Sequence, residues 1–212
     1  DFRQAPDHPY PTQVADTNYA VRWAKSKASE LNLDPRCFGG VGDSSGAHTM
    51  MLNAMRPNDP RYAAHELAEA GDVDASVAYV LALWGVLDPL ARLDYAKRTG
   101  FQRLVNSTNN YFKNEGEIEE GNPQLILDRG EEVLLPPVLI IQGTGDGNIP
   151  YYIPARFEDS YVASGGSIEV EWFPELPHRF AKFPSDEADV AIERMKEFIA
   201  RQVTAFAQGA GA

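Results

Sequence analysis

The sequence predicts an α/β domain built on a mostly parallel sheet with helices on both faces. Short apolar stretches of strand length alternate along the chain with longer segments that have the 3.6-residue periodicity of helices. Two of the short stretches, residues 77–84 (VAYVLALW) and 138–142 (VLIIQ), are continuously apolar, as in strands covered on both faces. The length of 212 residues suits one domain with a sizeable core.

The first quarter of the chain predicts a helix, a strand and a second helix. Residues 1–13 are rich in proline and predict an irregular, extended entry. Over residues 11–31, apolar side chains recur on one stripe at helical spacing. Residues 37–41 (CFGGV) are short and apolar and predict a buried strand, whereas residues 47–55 contain good helix formers. The order is therefore strand, tight glycine turn, helix.

The middle of the chain predicts two buried strands separated by a long helical region. Residues 57–75 are polar and alanine-rich and predict a loop with a short helix. The strand at residues 77–84 follows. Residues 89–131 are mixed and amphipathic and contain no strong strand pattern, and the strand at residues 138–142 comes directly after two prolines.

The last third of the chain predicts helix, strand and helix. Residues 154–163 predict a helix that ends at a glycine pair. Residues 167–173 (SIEVEWF) alternate between apolar and charged side chains, which predicts a half-exposed edge strand. Residues 185–207 keep the helical period almost throughout, and Ser185 is in the position of an N-cap.

The bulk composition favours a globular domain and argues against nucleic acid as a partner. The chain is 43% hydrophobic and 24% charged, and its formal net charge is −12. Such an acidic chain repels phosphate backbones and anionic membrane surfaces. Its apolar runs are all shorter than the roughly 18 residues that a membrane span requires. We therefore expect neither a nucleic-acid partner nor a membrane span.

Cysteine and histidine usage argues against disulfides and a structural metal. The single cysteine, Cys37, excludes an intrachain disulfide, and we expect it to be a buried structural thiol. This usage fits a reducing compartment, so we expect a cytoplasmic location. The four histidines are scattered along the chain without metal-ligand spacing: His8, His48, His65 and His178. We expect His48 to be packed.

The turn after the first predicted strand contains Gly42-Asp43-Ser44-Ser45-Gly46, a Gly-x-Ser-x-Gly pattern. A strand–turn–helix elbow exposes a serine hydroxyl, and the N-terminus of the following helix places partial positive charge near a developing oxyanion. Only Ser44 has glycine at both −2 and +2, so it is the candidate nucleophile, with the backbone N–H of Ser45 as an oxyanion donor. On the motif alone, a tight turn without chemistry remains an alternative.

Two further polar residues follow predicted strands. Asp146 lies among glycines directly after residues 138–142, and His178 lies in the loop after residues 167–173. Alone, Asp146 is also typical of an Asx-turn, and His178 of a surface or packed histidine. Together with Ser44 they have the chain order Ser, Asp, His, and each follows a strand, where open α/β sheets place their sites. This coincidence predicts a nucleophile, an acid and a base that meet at one edge of the sheet.

The sequence resembles the α/β-hydrolase esterase/lipase group, the branch that includes hormone-sensitive-lipase-like and related carboxylesterases. Four stretches carry the likeness: residues 1–16 (DFRQAPDHPYPTQVAD), 40–48 (GVGDSSGAH), 139–150 (LIIQGTGDGNIP) and 175–180 (ELPHRF). The stretch WGVLDPLAR lies between them. The resemblance covers essentially the whole chain and implies one α/β-hydrolase domain over residues 1–212.

The resemblance also implies roles for residues. Ser44 is the implied nucleophile, His178 the general base and then acid, and Asp146 the group that orients the imidazolium. Asp88 is a second acid candidate that ranks below Asp146, because a helix-capping or pocket-wall role fits it better.

The implied reaction is hydrolysis of small carboxylic esters through an acyl-enzyme, with no metal or organic cofactor. Two alternatives stay open: an amide, carbamate or formamide hydrolase of the same fold, and a non-catalytic binding protein.

The chain departs from the family pattern at its start. Family members have an upstream His-Gly-Gly type loop that completes the oxyanion hole, and this sequence contains no such motif. In the family, a stretch like residues 1–6 follows the fourth strand, so the chain corresponds to the C-terminal portion of the fold. By analogy, the strand at residues 37–41 lacks one neighbour. We therefore expect an N-terminal segment or a separate chain to complete the sheet and the oxyanion hole, and a homo-oligomer stays open.

Two features of the pocket region allow two interpretations each. Residues 89–131 form either a cap over the site or a connecting helical excursion. Trp84 and Phe180 either border an acyl or alcohol pocket or belong to the core.

Overall fold

A four-stranded parallel sheet forms the centre of the computed structural model, which describes residues 2–68 and 73–209. The sheet has the order β1-β2-β3-β4, and all three strand pairings are parallel. The strands are β1 (Gly39–Asp43), β2 (Tyr79–Leu83), β3 (Val138–Gly143) and β4 (Ile168–Phe173). All four strands predicted from the sequence are therefore present.

Eight α-helices connect and cover these strands in the described residues. They are α1 (Thr12–Ser26), α2 (Ser45–Met55), α3 (Pro89–Thr99), α4 (Gln102–Tyr111), α5 (Glu115–Glu120), α6 (Pro123–Asp128), α7 (Tyr152–Ala163) and α8 (Asp186–Gly209). The region predicted as mixed and amphipathic, residues 89–131, contains α3 to α6.

The two faces of the sheet are buried by different helices. Alternate residues of β2 and β3 belong to a cluster with α2 and α7 on one face, and the residues between them belong to a cluster with α8 on the other. The first set includes Val80, Ala82, Val138 and Ile140, and the second Tyr79, Leu81, Leu139 and Ile141. Because successive strand residues point to opposite faces, both sets must be apolar. The prediction of a mostly parallel sheet with helices on both faces is confirmed.

The start of β1 differs from the prediction. The strand begins at Gly39, and Cys37 lies in the short 3-10 helix Pro35–Cys37. Asp34 caps that helix by accepting a hydrogen bond from the N–H of Arg36 at 2.9 Å. Cys37 is half-buried, so the expectation of a fully buried thiol is wrong.

The end of α1 also differs from the prediction. The regular helix ends at Ser26, and hydrogen-bonded turns follow. These turns close with the N–H of Leu33 donating to the carbonyl of Ala28 at 2.8 Å, while Asn32 has a φ of 54°. This is the geometry of a Schellman closure, with asparagine in the left-handed position. The break predicted at residue 32 is confirmed, but the helix before it is shorter.

The segment between α2 and β2 differs as well. No helix is present in residues 57–68 or 73–75, where a short helix was predicted. Residues 69–72, which belong to the same prediction, lie outside the described residues, as do Asp1 and residues 210–212.

The last helix agrees closely with the prediction. The hydroxyl of Ser185 accepts a hydrogen bond from the N–H of Ala188 at 3.1 Å, which confirms Ser185 as the N-cap of α8. Asp186, Glu187 and Asp189 place negative charge in the first turn, where it complements the helix dipole. None of the helices in the described ranges has the length and apolar character that crossing a bilayer requires.

The sheet has two different edges. β4 forms one edge, as its alternating pattern predicted, and β1 forms the other. In the described residues β1 pairs with β2 alone, and Val41 at its centre is 62% exposed. The N-terminal segment or separate chain that we expect beside this strand stays a prediction.

Candidate active site

Ser44 lies at a strained turn between β1 and α2. Its φ of 52° and ψ of −114° belong to a region that non-glycine residues rarely adopt. The end of β2 and the segment directly after it hold this conformation on both sides of the residue. The N–H of Ser44 donates to the carbonyl of Leu83 at 2.9 Å, and the N–H of Val86 donates to the carbonyl of Ser44 at 3.1 Å. The strained turn is therefore held by the neighbouring strand.

The two glycines of the motif differ in what they contribute. A β-carbon at Gly42 would lie 2.4 Å from the backbone of Gly46, so only glycine allows the chain to fold back this closely. A β-carbon at Gly46 would approach only the Oδ1 atom of Asp43, at 3.9 Å. The sharp turn thus requires the first glycine, whereas the position of the second has room for a β-carbon.

The three residues singled out by their chain order lie together. The Nε2 atom of His178 is 3.1 Å from the Oγ of Ser44, and its Nδ1 atom is 2.7 Å from the Oδ2 of Asp146. With the proton on Nδ1, the imidazole donates to the carboxylate and accepts from the serine hydroxyl. His178 therefore connects the buried carboxylate of Asp146 to the hydroxyl of Ser44 through two hydrogen bonds.

Asp146 is held by four hydrogen-bond donors. Its Oδ1 atom accepts from the N–H groups of Asn148 at 2.7 Å and Ile149 at 2.8 Å. Its Oδ2 atom accepts from Gln142 Nε2 at 3.1 Å as well as from His178. The side chain is fully buried, so these donors compensate the carboxylate for its lost hydration. The Asx-turn alternative is also present, because the Oδ1 bonds have that form.

The loop that carries His178 lies directly against the loop that carries Asp146. The hydroxyl of Thr144 accepts a hydrogen bond from the N–H of Glu175 at 2.8 Å. A β-carbon at Gly145 would lie 2.4 Å from the carbonyl oxygen of Glu175. Glu175 and Arg179 both have positive φ values, 60° and 65°, so the loop turns sharply on each side of the histidine. Close backbone approach, permitted by glycine, brings the loop of His178 against the loop of Asp146.

A cavity of about 530 Å³ opens in front of Ser44 and His178. Ser45 and Gly46 line it at the N-terminus of α2. The N–H groups in the first turn of a helix have no intrahelical acceptor, so the N–H of Ser45 is free to bind an oxyanion. Residues 89–131 supply another part of the lining. Its members include Arg92 of α3 and Leu104, Thr108 and Tyr111 of α4.

Residues 1–160 match the BD-FAE family. The chain belongs to this family. Among curated relatives, the esterase LipC of Mycobacterium tuberculosis is 28% identical over an alignment of 158 residues that covers 71% of this chain and 36% of LipC. The probable carboxylic ester hydrolase LipM of the same organism is 25% identical over an alignment of 207 residues that covers 94% of this chain and 45% of LipM. This BD-FAE chain thus spans less than half the length of either relative.

Comparison with solved structures identifies the fold. The esterase Est2 of Thermogutta terrifontis with bound propionate superposes with a TM-score of 0.70 at 21% identity. The match covers 92% of this chain and 66% of the Est2 chain. The BD-FAE chain has the α/β-hydrolase fold, and the resemblance to its esterase group is confirmed.

Arg92 is a site residue that sequence reasoning missed. Its Nε and Nη2 atoms donate to the Oδ1 of Asn148 at 2.9 and 2.7 Å, and the residue is only 9% exposed. Burial and the nearby charge of Arg103 lower the pKa of Arg92 to about 10, although the charge of Asp146 opposes them. The guanidinium therefore remains charged at neutral pH. Nothing in the sequence around Arg92 distinguishes it from a surface arginine of an amphipathic helix.

Two other buried polar residues of the BD-FAE chain have structural partners. Asp88 caps α3 by accepting from the N–H of Ala91 at 3.0 Å, and it also accepts from Asn122 Nδ2 at 2.9 Å. The predicted capping role of Asp88 is confirmed. His48 is packed as predicted, with Nε2 donating to the carbonyl of Gly121 at 2.7 Å. Burial lowers the pKa of His48 to about 4, so the ring is neutral.

Trp84 and Phe180 pack against each other beside His178. Their ring centroids are 5.6 Å apart, and the Trp84 ring is 6.4 Å from that of His178. Both belong to the cluster that packs on α8, and neither lines the cavity in front of Ser44. Trp84 is buried, which favours core packing for this residue, whereas the half-buried Phe180 also lines a second cavity beside His178, so both interpretations stay open for Phe180.

Proposed function

We propose that this protein is a carboxylic ester hydrolase that acts through an acyl-enzyme on Ser44. The observation that carries the proposal is the hydrogen-bonded line from Asp146 through His178 to Ser44, at 2.7 and 3.1 Å. The strained turn at Ser44 and the free N–H of Ser45 beside the cavity support the same chemistry. The names of the relatives LipC and LipM, an esterase and a probable carboxylic ester hydrolase, agree with it.

In the acylation step, His178 Nε2 takes the proton of the Ser44 hydroxyl as Oγ attacks the ester carbonyl carbon. The carbonyl oxygen becomes an oxyanion and accepts a hydrogen bond from the N–H of Ser45. Collapse of this intermediate breaks the bond to the alcohol, which leaves with the proton that His178 returns. The acyl group remains on Ser44.

In the deacylation step, the same residues act on water. His178 takes a proton from a water molecule, whose oxygen attacks the acyl carbon. The second oxyanion forms at the same place, and its collapse releases the carboxylic acid and returns the proton to Ser44. Asp146 keeps the proton of His178 on Nδ1 in both steps and stabilises the imidazolium that forms. None of these steps uses a metal ion or an organic cofactor.

We further propose that residues 89–131 are a cap within one α/β-hydrolase domain. The support is that side chains of α3 and α4 line the same cavity as the N-terminus of α2. A segment outside the described residues, or a separate chain, pairs with β1 and supplies the second oxyanion donor. The unpaired side of β1 and the exposure of Val41 support this part of the proposal.

The bond that is cleaved is tested by comparing two substrates on the full-length protein. p-Nitrophenyl acetate is an ester and p-nitroacetanilide is its amide counterpart. We expect the ester to be hydrolysed with the larger kcat/KM, and Ser44→Ala to lower kcat by about 10⁴-fold or more. Faster turnover of the amide would favour the amidase alternative. Turnover of neither substrate, with Ser44 unreactive, would favour a binding protein of this fold.

A further inference from the structure

The charges that line the cavity are opposite in sign to the charge of the chain. The chain has 31 acidic and 19 basic residues, yet the charged side chains among the described lining residues are arginines, with no carboxylate. The arginines are Arg92, Arg103 and Arg179. A cavity lined by one sign of charge attracts ligands of the other sign.

Arg92 makes no direct ion pair among the described residues, although the charge of the buried Asp146 is close enough to raise its pKa. Its donors Nε and Nη2 share one neutral acceptor, the Oδ1 of Asn148, and no carboxylate lies within ion-pair distance. A buried guanidinium with only a neutral partner is costly to the fold. Its remaining nitrogen, Nη1, has no protein acceptor in the described structure and is available to a ligand in the cavity.

Arg103 is also without a carboxylate partner in the described parts of the chain. Its guanidinium lies over the ring of Phe101, 5.4 Å from the centroid, and its side chain is exposed at the cavity. Its charge is close enough to Arg92 to help lower the pKa of that residue.

Arg179 differs from Arg92 and Arg103, because its Nε atom lies 3.7 Å from the Oδ2 of Asp43. Arg92 and Arg103 therefore form a pair of like charges that an anion between them would relieve.

We propose that the cavity takes small esters that carry a carboxylate group, held by Arg92 and Arg103. This inference rests on the proposed function, since it names the class of ester that the Ser44 site accepts. A guanidinium binds a carboxylate through two parallel hydrogen bonds, and such charge-assisted bonds are about twice as strong as neutral ones. The neutral methyl ester of the same compound lacks both the charge and the second strong acceptor, so it binds more weakly.

The test compares charged and neutral members of two ester pairs on the full-length protein. The first pair, mono-4-nitrophenyl adipate and its methyl ester, places the carboxylate on the acyl side. The second pair, 4-acetoxybenzoate and its methyl ester, places it on the alcohol side. We expect kcat/KM for the charged member of at least one pair to exceed that of the neutral member by about tenfold or more. No preference in either pair overturns the inference.

Two variants of Arg103, one that neutralises its charge and one that reverses it, locate the effect. In Arg103→Gln we expect the charged-to-neutral ratio of kcat/KM to fall about tenfold. In Arg103→Glu the ratio should invert. Arg98→Gln is the matched control, because it removes one exposed charge close in sequence but outside the cavity lining, and it should leave the ratio unchanged. An unchanged ratio in both Arg103 variants, or an equal fall in Arg98→Gln, overturns the inference.

A binding measurement separates this inference from the proposed function. Calorimetry on Ser44→Ala compares monomethyl adipate with dimethyl adipate, with and without Arg103→Gln. If no ester is hydrolysed but the monoanion binds about tenfold more tightly and loses this advantage in Arg103→Gln, the anion site stands and the esterase proposal fails. If esters are hydrolysed and neither ligand is preferred, the esterase proposal stands and the anion site fails.

Discussion

Gly143, the last residue of β3, lies so close to Leu176 that a β-carbon on the glycine would stand 2.1 Å from the carbonyl oxygen of Leu176. This contact joins the strand that leads to Asp146 with the loop that leads to His178. Real β-carbons do not approach a backbone oxygen this closely, so a side chain here must displace the loop. The distance of 2.7 Å between Asp146 Oδ2 and His178 Nδ1 therefore depends on residue 143 being a glycine.

We expect Gly143→Ala to lower kcat/KM by about 100-fold, because a shift of about 1 Å in a catalytic group has an effect of this size. The variant should also lose about 1–3 kcal/mol of stability from overpacking. Esterase kinetics and urea denaturation measure the two effects.

Gly147→Ala is the matched control for the glycine contact. Gly147 lies in the same loop, but a β-carbon there has open space around it. Its kcat/KM and stability should remain near those of the unmodified protein. Normal kinetics in Gly143→Ala would show that the loop adapts, and the contact would then have no part in placing His178.

Substitution of the two buried aspartates near the site should affect different properties: activity for Asp146 and stability for Asp88. Asp146→Asn removes the acceptor that keeps the proton of His178 on Nδ1, so we expect kcat to fall by about 10⁴-fold while the fold persists. Asp88→Ala removes the cap of α3 and leaves Asn122 without its acceptor. We expect that variant to lose about 1–3 kcal/mol of stability and to keep its kcat. The reverse pattern would make Asp88 the catalytic acid.

His48 should make the fold sensitive to mild acid. Its pKa in the folded protein is lowered from 6.5 to about 4, chiefly by burial, with the charge of Arg92 in the same direction and that of Glu120 opposed. The unfolded chain therefore binds the proton more tightly, and stability falls as the pH drops from 6.5 towards 4. We expect a loss of about 2 kcal/mol between pH 7 and pH 5 from this residue.

Urea denaturation of the unmodified protein and of His48→Gln, at pH 7 and pH 5, measures the His48 contribution. Glutamine keeps a donor for the carbonyl of Gly121 but does not titrate. The loss between the two pH values should be smaller in the variant by about 2 kcal/mol. Equal losses in both proteins would show that His48 does not cause the sensitivity.

The strands and the three central site residues could be predicted because each has a local signature. β2 and β3 are continuously apolar, and Ser44, Asp146 and His178 each follow a strand. Parallel strands bring such positions to one edge of the sheet. The chain order then selected these residues over the alternatives that each one had alone.

The rest of the site depends on contacts between distant segments. Arg92 and Asn148 are 56 residues apart, and neither has a sequence pattern that pairs them. The role of Gly143 depends on the path of residues 175–178, which periodicity does not describe. The beginning of β1 was misplaced because Cys37 and Phe38 are apolar, although the proline at residue 35 starts a 3-10 turn.

The most direct test of the central claim is to label the full-length protein with a fluorophosphonate and locate the adduct by mass spectrometry. A serine activated by His178 should form one covalent adduct on Ser44. The adduct should persist in Ser45→Ala, which keeps its backbone N–H, and should be lost in His178→Ala. An adduct on Ser45, or a folded protein that forms no adduct, would contradict the assignment of Ser44 as the nucleophile.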